Sequence, residues 1–600
     1  MATTGKALEH DFSPHTAALT TSHQNETHTP PPPPRTNANP SAEGVVSAQD
    51  DVLPEDDKSQ YPTGLKLWLV LLSLCLAVFL VALDQTIIAP ALGSITTEFD
   101  STRDIGWYGA SYLLTMTALQ PMYGTVYRLF DIKTTYLSAV FLFELGSLIS
   151  AVAPTSTAFI VGRAIAGLGT AGIFSGSFFI VGLLLPLRKR PAAFGGVGAL
   201  WGISSVAGPL LGGAFAEKVT WRWCFYINLP IGGVAMAVII LFLRVKKPSS
   251  ELAALGKIER ILQVDLVGAA IMLPSVIMLL LALQWGGLEY PWSDSRVIGL
   301  LVGASVGASV FVGVEVWQQD KGLIPPRFFK NKNVFAAMMF AMFFGASFYP
   351  MVYYLSLYFQ AVQGNNAVEA GIKLLAFLIA MVISSVLSGV IVTAIGSYNI
   401  VMFVETAFLT TGAALIATFW IDTSFGKWFG YQVIMGFGTG VCFQAPIVVV
   451  QNCLPQDLIA QATACVQFFQ AFGGAVFIAV SQTAFQNGLI TNMLRDAPGI
   501  DPALILNSGA SQIRQVLEGI GRPEDVETVL AAYVLGLRHT YYISVAAAAC
   551  AFLVTFVLDW KPIKKPGKRA KKKDEEVAAS SDGTFDSTDG AKARDVRETT

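Results

Sequence analysis

The sequence predicts an all-α protein that crosses a membrane many times, with fourteen transmembrane helices arranged as two six-helix bundles plus two inserted helices. Three observations carry that expectation. Of 600 residues, 53% are hydrophobic and only 14% charged, where a soluble chain of this size carries about a quarter charged residues. The apolar residues gather into runs of about 20, the length that crosses roughly 30 Å of hydrocarbon. Two of those runs also repeat each other at a fixed offset of 269 residues.

The runs fall at 66–90, 106–126, 134–153, 160–184, 192–215, 224–243, 265–284, 297–317, 334–358, 369–394, 399–420, 428–450, 462–485 and 540–559. The least pronounced pair is 265–284 and 297–317, separated by the turn-rich "WGGLEYPWSDS". Basic residues in short loops set orientation, because they are retained on the cytosolic side. One set of loops holds Arg128, Lys133, Arg188, Lys189, Arg190, Arg244, Lys246, Lys247, Lys257, Arg260, Lys321, Arg327, Lys330 and Lys332, and the alternate set only Arg103, Lys218, Arg222, Arg296 and Lys427. The first set, and with it both termini, is expected in the cytosol. The resulting organisation is a disordered tail at 1–64, a bundle at 65–245, a linker with the inserted helices at 246–320, a second bundle at 321–560 and a polybasic disordered tail at 561–600. The outer loop at 486–537 reads as a cap with short amphipathic helices around "SQIRQVLEGI" and "EDVETVLAAYVLGL". "KPIKKPGKRAKKK" would be drawn to anionic inner-leaflet lipid, or serve only as a stop-transfer anchor. "NET" at Asn25 fits a glycosylation pattern, which matters only if that tail is luminal.

Several functions are disfavoured. The six cysteines lie in or beside apolar runs with no CxxC pair, so neither a disulfide framework nor a zinc site is expected. Four of five histidines stand in the N-terminal tail, and His539 is alone near an expected helix start, which argues against His-cluster membrane enzymes. No nucleophile–base set is recognisable, so the chain is not expected to be an enzyme. No GxxxxGKS or GxxxxGKT pattern is present, so no ATP site is expected. No nucleic-acid partner is expected.

The internal repeat pairs "GRAIAGLGTAGIFSGSFFIVGLLLP", from Gly162, with "YQVIMGFGTGVCFQAPIVVVQNCLP", from Tyr431. Gly167 falls on Gly436, Gly169 on Gly438, Thr170 on Thr439, Phe174 on Phe443, and Leu185–Pro186 on Leu454–Pro455. The offset pairs the fourth run with the twelfth, as two six-span bundles separated by two inserted spans would. Repeated bundles around a midplane site are the usual design of secondary transporters.

"LDQTIIAPAL" at Leu83–Leu92, "GRAIAGLGTAG" at Gly162–Gly172, "GISSVAGPLLGG" at Gly202–Gly213 and "WRWCFYINLPIG" at Trp221–Gly232 together resemble the major facilitator superfamily. The resemblance is to its fourteen-span drug:proton antiporter branch, strongest to fungal toxin and multidrug efflux pumps, and covers roughly residues 65–560. It implies a major facilitator fold and proton-driven antiport of small organic molecules with no cofactor and no ATP. The second-loop motif is only partly kept: "GTVYRLFDIKTT" retains Gly124, Arg128, Asp131 and Lys133 in altered order, making Gly124, Arg128 and Asp131 gating-loop candidates.

Ionisable residues within spans are costly and usually face protein or a cavity. Asp84, Glu144, Arg163 and Glu405 are the candidates. Asp84 carries the resemblance and is the first choice for a protonatable group. The resemblance assigns Arg163 an aid to proton transfer, and a structural role on backbone carbonyls is the alternative. Glu144 suits either a coupling site or a helix–helix hydrogen bond. Glu405, near the membrane edge, is expected to snorkel. In the second half Gln432 replaces Arg163, and no mid-membrane acid occurs in spans ten, twelve and thirteen. There Gln444, Gln467 and Gln470, with Gln120, Asn228, Trp201, Phe348, Tyr354 and Phe468, are the substrate-cavity candidates, pointing to a neutral or weakly acidic organic substrate. The alternative is that the glutamines only bridge helices.

Seven glycines lie between Gly195 and Gly213, where glycine costs a soluble helix about 1 kcal/mol each. In lipid, small residues instead let backbones approach. Gly198, Gly202, Gly208, Pro209 and Gly212 are therefore expected to give the fifth span a smooth, bent face on which the bundles rock and which blocks proton leak. Tight packing without that role is the alternative. The expected function is proton-coupled efflux of a fungal secondary metabolite, toxin or drug, by a monomer in the plasma membrane, with a vacuolar or vesicle membrane as the other setting. Uptake or exchange of a nutrient, siderophore or amino acid is the second reading, and a non-transporting sensor the third.

Overall fold

Length and apolar composition make helices the structure that can satisfy the backbone in lipid, and helices are what the chain forms. The computed structural model describes residues 64–560, apart from 102–103, 246–259, 261–262, 288–289 and 508–511. Both tails, Asn25, the polybasic segment, Arg103, Lys246, Lys247 and Lys257 lie outside the described residues. The helices are α1 (Leu65–Thr86), α2 (Ile88–Phe99), α3 (Ile105–Leu129), α4 (Ile132–Val152), α5 (Ser156–Leu184), α6 (Arg190–Lys218), α7 (Trp223–Tyr226) and α8 (Asn228–Phe242). There follow α9 (Leu266–Trp285), α10 (Ser295–Gln318), α11 (Pro326–Lys330), α12 (Lys332–Ala361), α13 (Ala367–Lys373) and α14 (Leu375–Ile395). The chain ends with α15 (Asn399–Ile416), α16 (Phe425–Thr439), α17 (Ala445–Cys453), α18 (Ile459–Asp496), α19 (Pro502–Asn507), α20 (Ile513–Gly519) and α21 (Val526–Thr555).

Among the described residues, twelve helices are long and apolar enough to cross a membrane, so the protein is an all-α, multi-pass membrane protein. The fourteen expected runs include two that fall outside the twelve. One is α3, whose 25 residues carry tyrosine, threonine and glutamine as well as apolar side chains. The other is the twelfth run, broken into α16 and α17. The break coincides with a difference within the repeat. At the offset of 269, Pro446 stands where α5 has Ser177. Proline has no N–H to give the carbonyl one turn back and is favoured in a helix's first turn; Pro446 stands in the first turn of α17, while α5, with serine there, is one helix of 29 residues.

Helix pairs in the first part of the chain recur in the second. α4 packs on α5 and α3 on α5, as α15 packs on α16 and α14 on α16. α1 meets α6 and α8, as α12 meets α18 and α21. The two parts join chiefly through α6 with α14 and α3 with α18. α9 and α10 pair with each other, and α9 also touches α3 and α18. Of the two short helices expected at 486–537, the one in "SQIRQVLEGI" is present as α20. α18 has 38 residues and α21 has 30, about 57 and 45 Å at 1.5 Å per residue, so both run past the hydrocarbon as rigid extensions. "EDVETVLAAYVLGL" is the first part of α21, not a separate short helix, and His539 lies well inside α21, away from its start.

The fifth-span glycines serve two faces, which corrects the single smooth face expected. Gly195, Gly198 and Gly202 meet the other part of the chain: a Cβ on each would collide with Ser385 of α14, with Gln444 and Ser385, and with Val382 and Met381. Gly208 and Gly212 instead pack on Thr86, Ile87 and Pro90 at the α1–α2 junction, within the first part. Thr86 Oγ1 donates to the Ser204 carbonyl at 3.2 Å and Ser204 Oγ to the Phe79 carbonyl at 3.0 Å, fastening α1 to α6.

"TWRWCF" is a corner clamp. Arg222 donates to the Ala151 and Ala153 carbonyls at the end of α4, at 2.7 and 3.0 Å, and to Glu98 at the end of α2 at 2.7 Å. Trp221 Nε1 donates to the same Glu98 carboxylate at 2.6 Å. Burial pushes the Glu98 carboxyl up, but the hydrogen bonds from Trp221 and Arg222 outweigh it and leave the carboxyl below the usual glutamate range.

Gly208→Val should lower the unfolding temperature in detergent, since overpacking a close contact costs about 1–3 kcal/mol. Gly233→Val, where a Cβ meets open space, should not; equal tolerance at both sites would refute the packing account. Because the folded-state pKa of Glu98 is lowered, the clamp stabilises above the unfolded pKa and is lost as pH falls through the folded value. Protection from hydrogen exchange over residues 219–226, taken relative to the intrinsic exchange rate at each pH, should therefore fall on acidification in the natural protein and already be low at neutral pH in Glu98→Gln. Protection that stays independent of pH in the natural protein would remove the clamp from the account.

Candidate functional site

Near the C-terminal end of α1, about 30 Å along its axis from Leu65, the chain buries a charge. Asp84 is 0% and Arg163 1% exposed. The Arg163 guanidinium on α5 donates to Asp84 Oδ2 at 2.5 Å and, through Nε, to the Tyr108 carbonyl on α3 at 3.1 Å. Asn228, at the start of α8, donates through Nδ2 to Asp84 Oδ1 at 3.2 Å and to Ser147 Oγ of α4 at 3.1 Å. The guanidinium also lies 4.4 Å from the Tyr112 ring centroid, where a cation is attracted to the aromatic face. Thr170 Oγ1 donates to the Tyr112 hydroxyl at 2.7 Å. Five helices thus converge on one carboxylate. Arg163 thus bonds a backbone carbonyl, as its structural alternative has it, and an acid as well.

Glu144 is buried on α4, against Gly232 of α8, where a Cβ would collide with its carboxyl. Its carboxyl oxygens have no hydrogen-bond partner among the described residues, so the helix–helix hydrogen bond is not formed. Glu405 corrects the expectation of snorkelling: it is buried, and Oε2 accepts the Val441 N–H at 2.5 Å.

Where the two parts of the chain face each other, an aromatic cluster forms. The Trp201 ring of α6 lies 5.7 Å from that of Phe348 on α12 and 5.5 Å from that of Phe443, in the break between α16 and α17. Phe443 also meets Phe344 at 4.8 Å and Phe348 at 5.0 Å. Gln444 donates to Ser385 Oγ at 2.6 Å. Tyr354 and Phe468 lie elsewhere: Tyr354 contacts Phe485, and Phe468 stacks on Phe472. Gln470 is buried on α18, with its backbone carbonyl against Gly345 of α12.

Gln120 and Gln467 are the unpaired members. Both side chains are buried, and neither amide has a hydrogen-bond partner among the described residues. Gly124, one turn past Gln120 on α3, packs on Gln461 and Ala464 of the antiparallel α18, which puts Gln120 and Gln467 at about the same level of the α3–α18 contact. Buried polar groups left without partners are costly, and a bound molecule is one way to satisfy them.

The gating-loop candidates separate. Gly124 and Arg128 lie on the α3–α18 contact, where Arg128 donates to Gln461 Oε1 at 3.1 Å and to the Asp320 carbonyl at 3.3 Å. Asp131 instead caps α4, accepting from the Thr134 N–H at 2.9 Å and its hydroxyl at 2.8 Å. More bonds join the parts at this end, where the basic loops lie. Arg190 donates to Gln451 at 3.1 Å, and Arg188 to the Thr393 and Ala394 carbonyls, each at 3.2 Å. Gln461 and Gln451 escape sequence reasoning because neither is charged, aromatic or periodic. Phe443 is legible as the repeat's match to Phe174.

The profile described as Major Facilitator Superfamily matches residues 74–478. The chain is 43% identical over 524 residues to "MFS-type efflux pump MFS1" of Arthroderma benhamiae, covering 87% of this chain and 97% of that protein. It is 42% identical over 509 residues to "Rubrofusarin-specific efflux pump aurT" of Gibberella zeae, covering 85% and 92%. Among solved structures, the human organic anion transporter MFSD10 (TETRAN) is similar with a TM-score of 0.52 at 14% identity, over 82% of this chain and 99% of that one; that likeness speaks for the fold alone.

Removing one member of a buried ion pair strands the other, at about 3–5 kcal/mol, whereas replacing both with apolar groups is often neutral. Arg163→Leu should therefore markedly lower stability in chemical unfolding, and Arg163→Leu with Asp84→Leu should recover most of it. A double variant no more stable than the single one would contradict this reading of the pair.

Proposed function

The chain belongs to the Major Facilitator Superfamily, and on that premise we propose that it exports small organic molecules in exchange for protons, with Asp84 carrying the proton. The single observation that carries this reading is the buried Asp84–Arg163–Asn228 cluster. A proton delivered to Asp84 cancels the charge attraction and leaves Arg163 a buried, unmatched cation, so protonation favours a rearrangement of α1 against α5 and α8. Alternating access then opens the cluster to the other side of the membrane, where the proton leaves and the pair re-forms. One proton moving down about 100 mV gains roughly 2.3 kcal/mol, and one pH unit adds about 1.4, enough for about a 500-fold gradient of a neutral solute. Transport needs neither ATP nor a cofactor.

The molecule is read as fourteen spans: residues 65–245 and 321–560 form two six-helix bundles, α9 and α10 are inserted between them, and α3 and α16–α17 complete the count. The recurring helix pairs support this division. The loops rich in arginine and lysine, with both termini, face the cytosol. The bonds of Arg128, Arg188 and Arg190 then close the cytosolic side, and the substrate site opens outward. Substrate lies between the bundles, against Trp201, Phe348 and Phe443, and satisfies the amides of Gln120 and Gln467. Aromatic rings and neutral amides suit a neutral or weakly acidic aromatic molecule, as a fungal secondary metabolite or toxin would be, and the pump names of the relatives agree with that class. The protein acts as a monomer in the plasma membrane, its basic C-terminal tail drawn to anionic lipid.

The test uses purified protein in sealed liposomes under an imposed pH gradient, with a panel of neutral and weakly acidic aromatic compounds and dicationic dyes. Proton flux should follow addition of an uncharged aromatic compound, and Asp84→Asn should reduce coupled flux at least about tenfold while compound binding persists. Flux no greater than in protein-free liposomes for the whole panel, or unchanged coupling in Asp84→Asn, would overturn the proposal.

A further inference from the structure

One buried acid has no task in this exchange. Glu405 lies in the first half of α15, and its carboxyl is reached by Ser384 and Ser388 of α14. Cys442 approaches Thr406 beside it. The elements packed on α15 bring no base to its level among the described residues. α14 carries no titratable side chain, and α17 carries only Cys453. On α16 the titratable groups are Lys427, in the first turn, and Tyr431, both well before Val441 along the chain. α21 offers Tyr541, Tyr542 and Cys550 beyond His539. Asp559 follows that helix and pairs with Lys332 at 3.4 Å.

The repeat shows that packing does not require an acid at this place. On α5, a Cβ at Gly169 would meet the Phe143 N and the Ala139 carbonyl; on α16, a Cβ at Gly438 would meet the Leu409 N and the Glu405 carbonyl. Glu405 therefore occupies the position that Ala139 fills in the first part of the chain, and the same helix pair closes there with an alanine. What differs is the neighbour. α5 runs on unbroken, whereas α16 ends at Thr439 and Val441 leaves the helical ladder. The Val441 N–H turns to Glu405, and the carbonyl of Phe437, one turn back, accepts from Ser384 Oγ at 2.6 Å. Two residues beyond Val441 stands Phe443, in contact with Trp201 and Phe348, and next to it Gln444, bonded to Ser385.

We propose that Glu405 is a second proton-binding residue, whose protonation state sets the shape of the α16–α17 break and so the position of Phe443 and Gln444 in the substrate site. Ionised, the carboxylate accepts the Val441 N–H strongly, as a charge-assisted bond. Protonated, it is a weaker acceptor and must place its own O–H on another oxygen, so the break is released. Discontinuous helices form the sites of many secondary transporters, which makes this break a place where binding and movement meet. The inference deepens the proposed exchange reaction and rests on it for its purpose, but not for its test.

The test needs no transported compound. Trp201 fluorescence, isolated as the difference between the natural protein and Trp201→Phe, is followed against pH in detergent. Glu405→Gln keeps an oxygen that can accept the Val441 N–H but cannot titrate, so it separates proton binding from a purely structural cap. Glu405→Asp keeps an acid on a shorter arm. The expected result is a pH-dependent change in Trp201 emission that persists in Asp84→Asn, is lost in Glu405→Gln and keeps a titration with a moved midpoint in Glu405→Asp. A Glu405→Gln protein that titrates as the natural one does, a Glu405→Asp midpoint that stays in place, or a natural protein whose Trp201 signal does not change with pH would each overturn the proposal. None of these results depends on whether Asp84→Asn abolishes exchange in liposomes, so the two readings fail separately.

Discussion

A carboxylate cannot remain charged within a helix bundle in lipid unless something pays for its lost hydration, and that constraint organises the first part of this molecule. Asp84 is matched by Arg163 and Asn228, Arg163 is held in turn by the Tyr108 carbonyl and the Tyr112 ring, and Asn228 reaches Ser147. The partners come from different helices, so five helices are linked through one carboxylate and its two partners. In the proposed exchange a proton on Asp84 removes that charge, so that the same cluster would be both a fastening and a switch.

Close backbone contact is the second constraint. Lipid offers helices little reward for burying apolar side chains against each other, so contacts are built from small residues. The fifth span divides its glycines between a face toward α14 and a face toward the α1–α2 junction. The first face lies between the two parts of the chain and the second within one part. In the proposed exchange, a helix with both would carry a displacement at Asp84, three residues before Ile87, to the contact at Gly195 and Gly198.

Much of this is legible in the sequence. Span lengths follow from hydrocarbon thickness, and Asp84 and Arg163 stand out because a charge within a span is costly. The repeat at 269 anticipates that α16 packs as α5 does. Other features are hidden for physical reasons. Distance along one helix places Glu405 near a span's end, where a carboxyl snorkels, but its burial comes from α14 and α16, which no single-helix reading contains. The break after Thr439 lies just before Pro446, which the sequence shows, yet its significance needs the neighbouring acid, 36 positions away from Val441 in the chain. Gln451 and Gln461 join the two parts at the basic-loop end, but they lie just outside the runs 428–450 and 462–485, where a neutral amide does not stand out as it does within a span. Asp131, placed by its motif among gating residues, is by geometry the cap of α4.

The central claim is that Asp84 gains and loses a proton inside the folded protein. Infrared difference spectroscopy of the purified protein, taken between alkaline and acidic pH, reads protonated carboxyl groups directly. The account predicts a carboxylic C=O band on acidification with one component missing in Asp84→Asn. An unchanged band in that variant would contradict it.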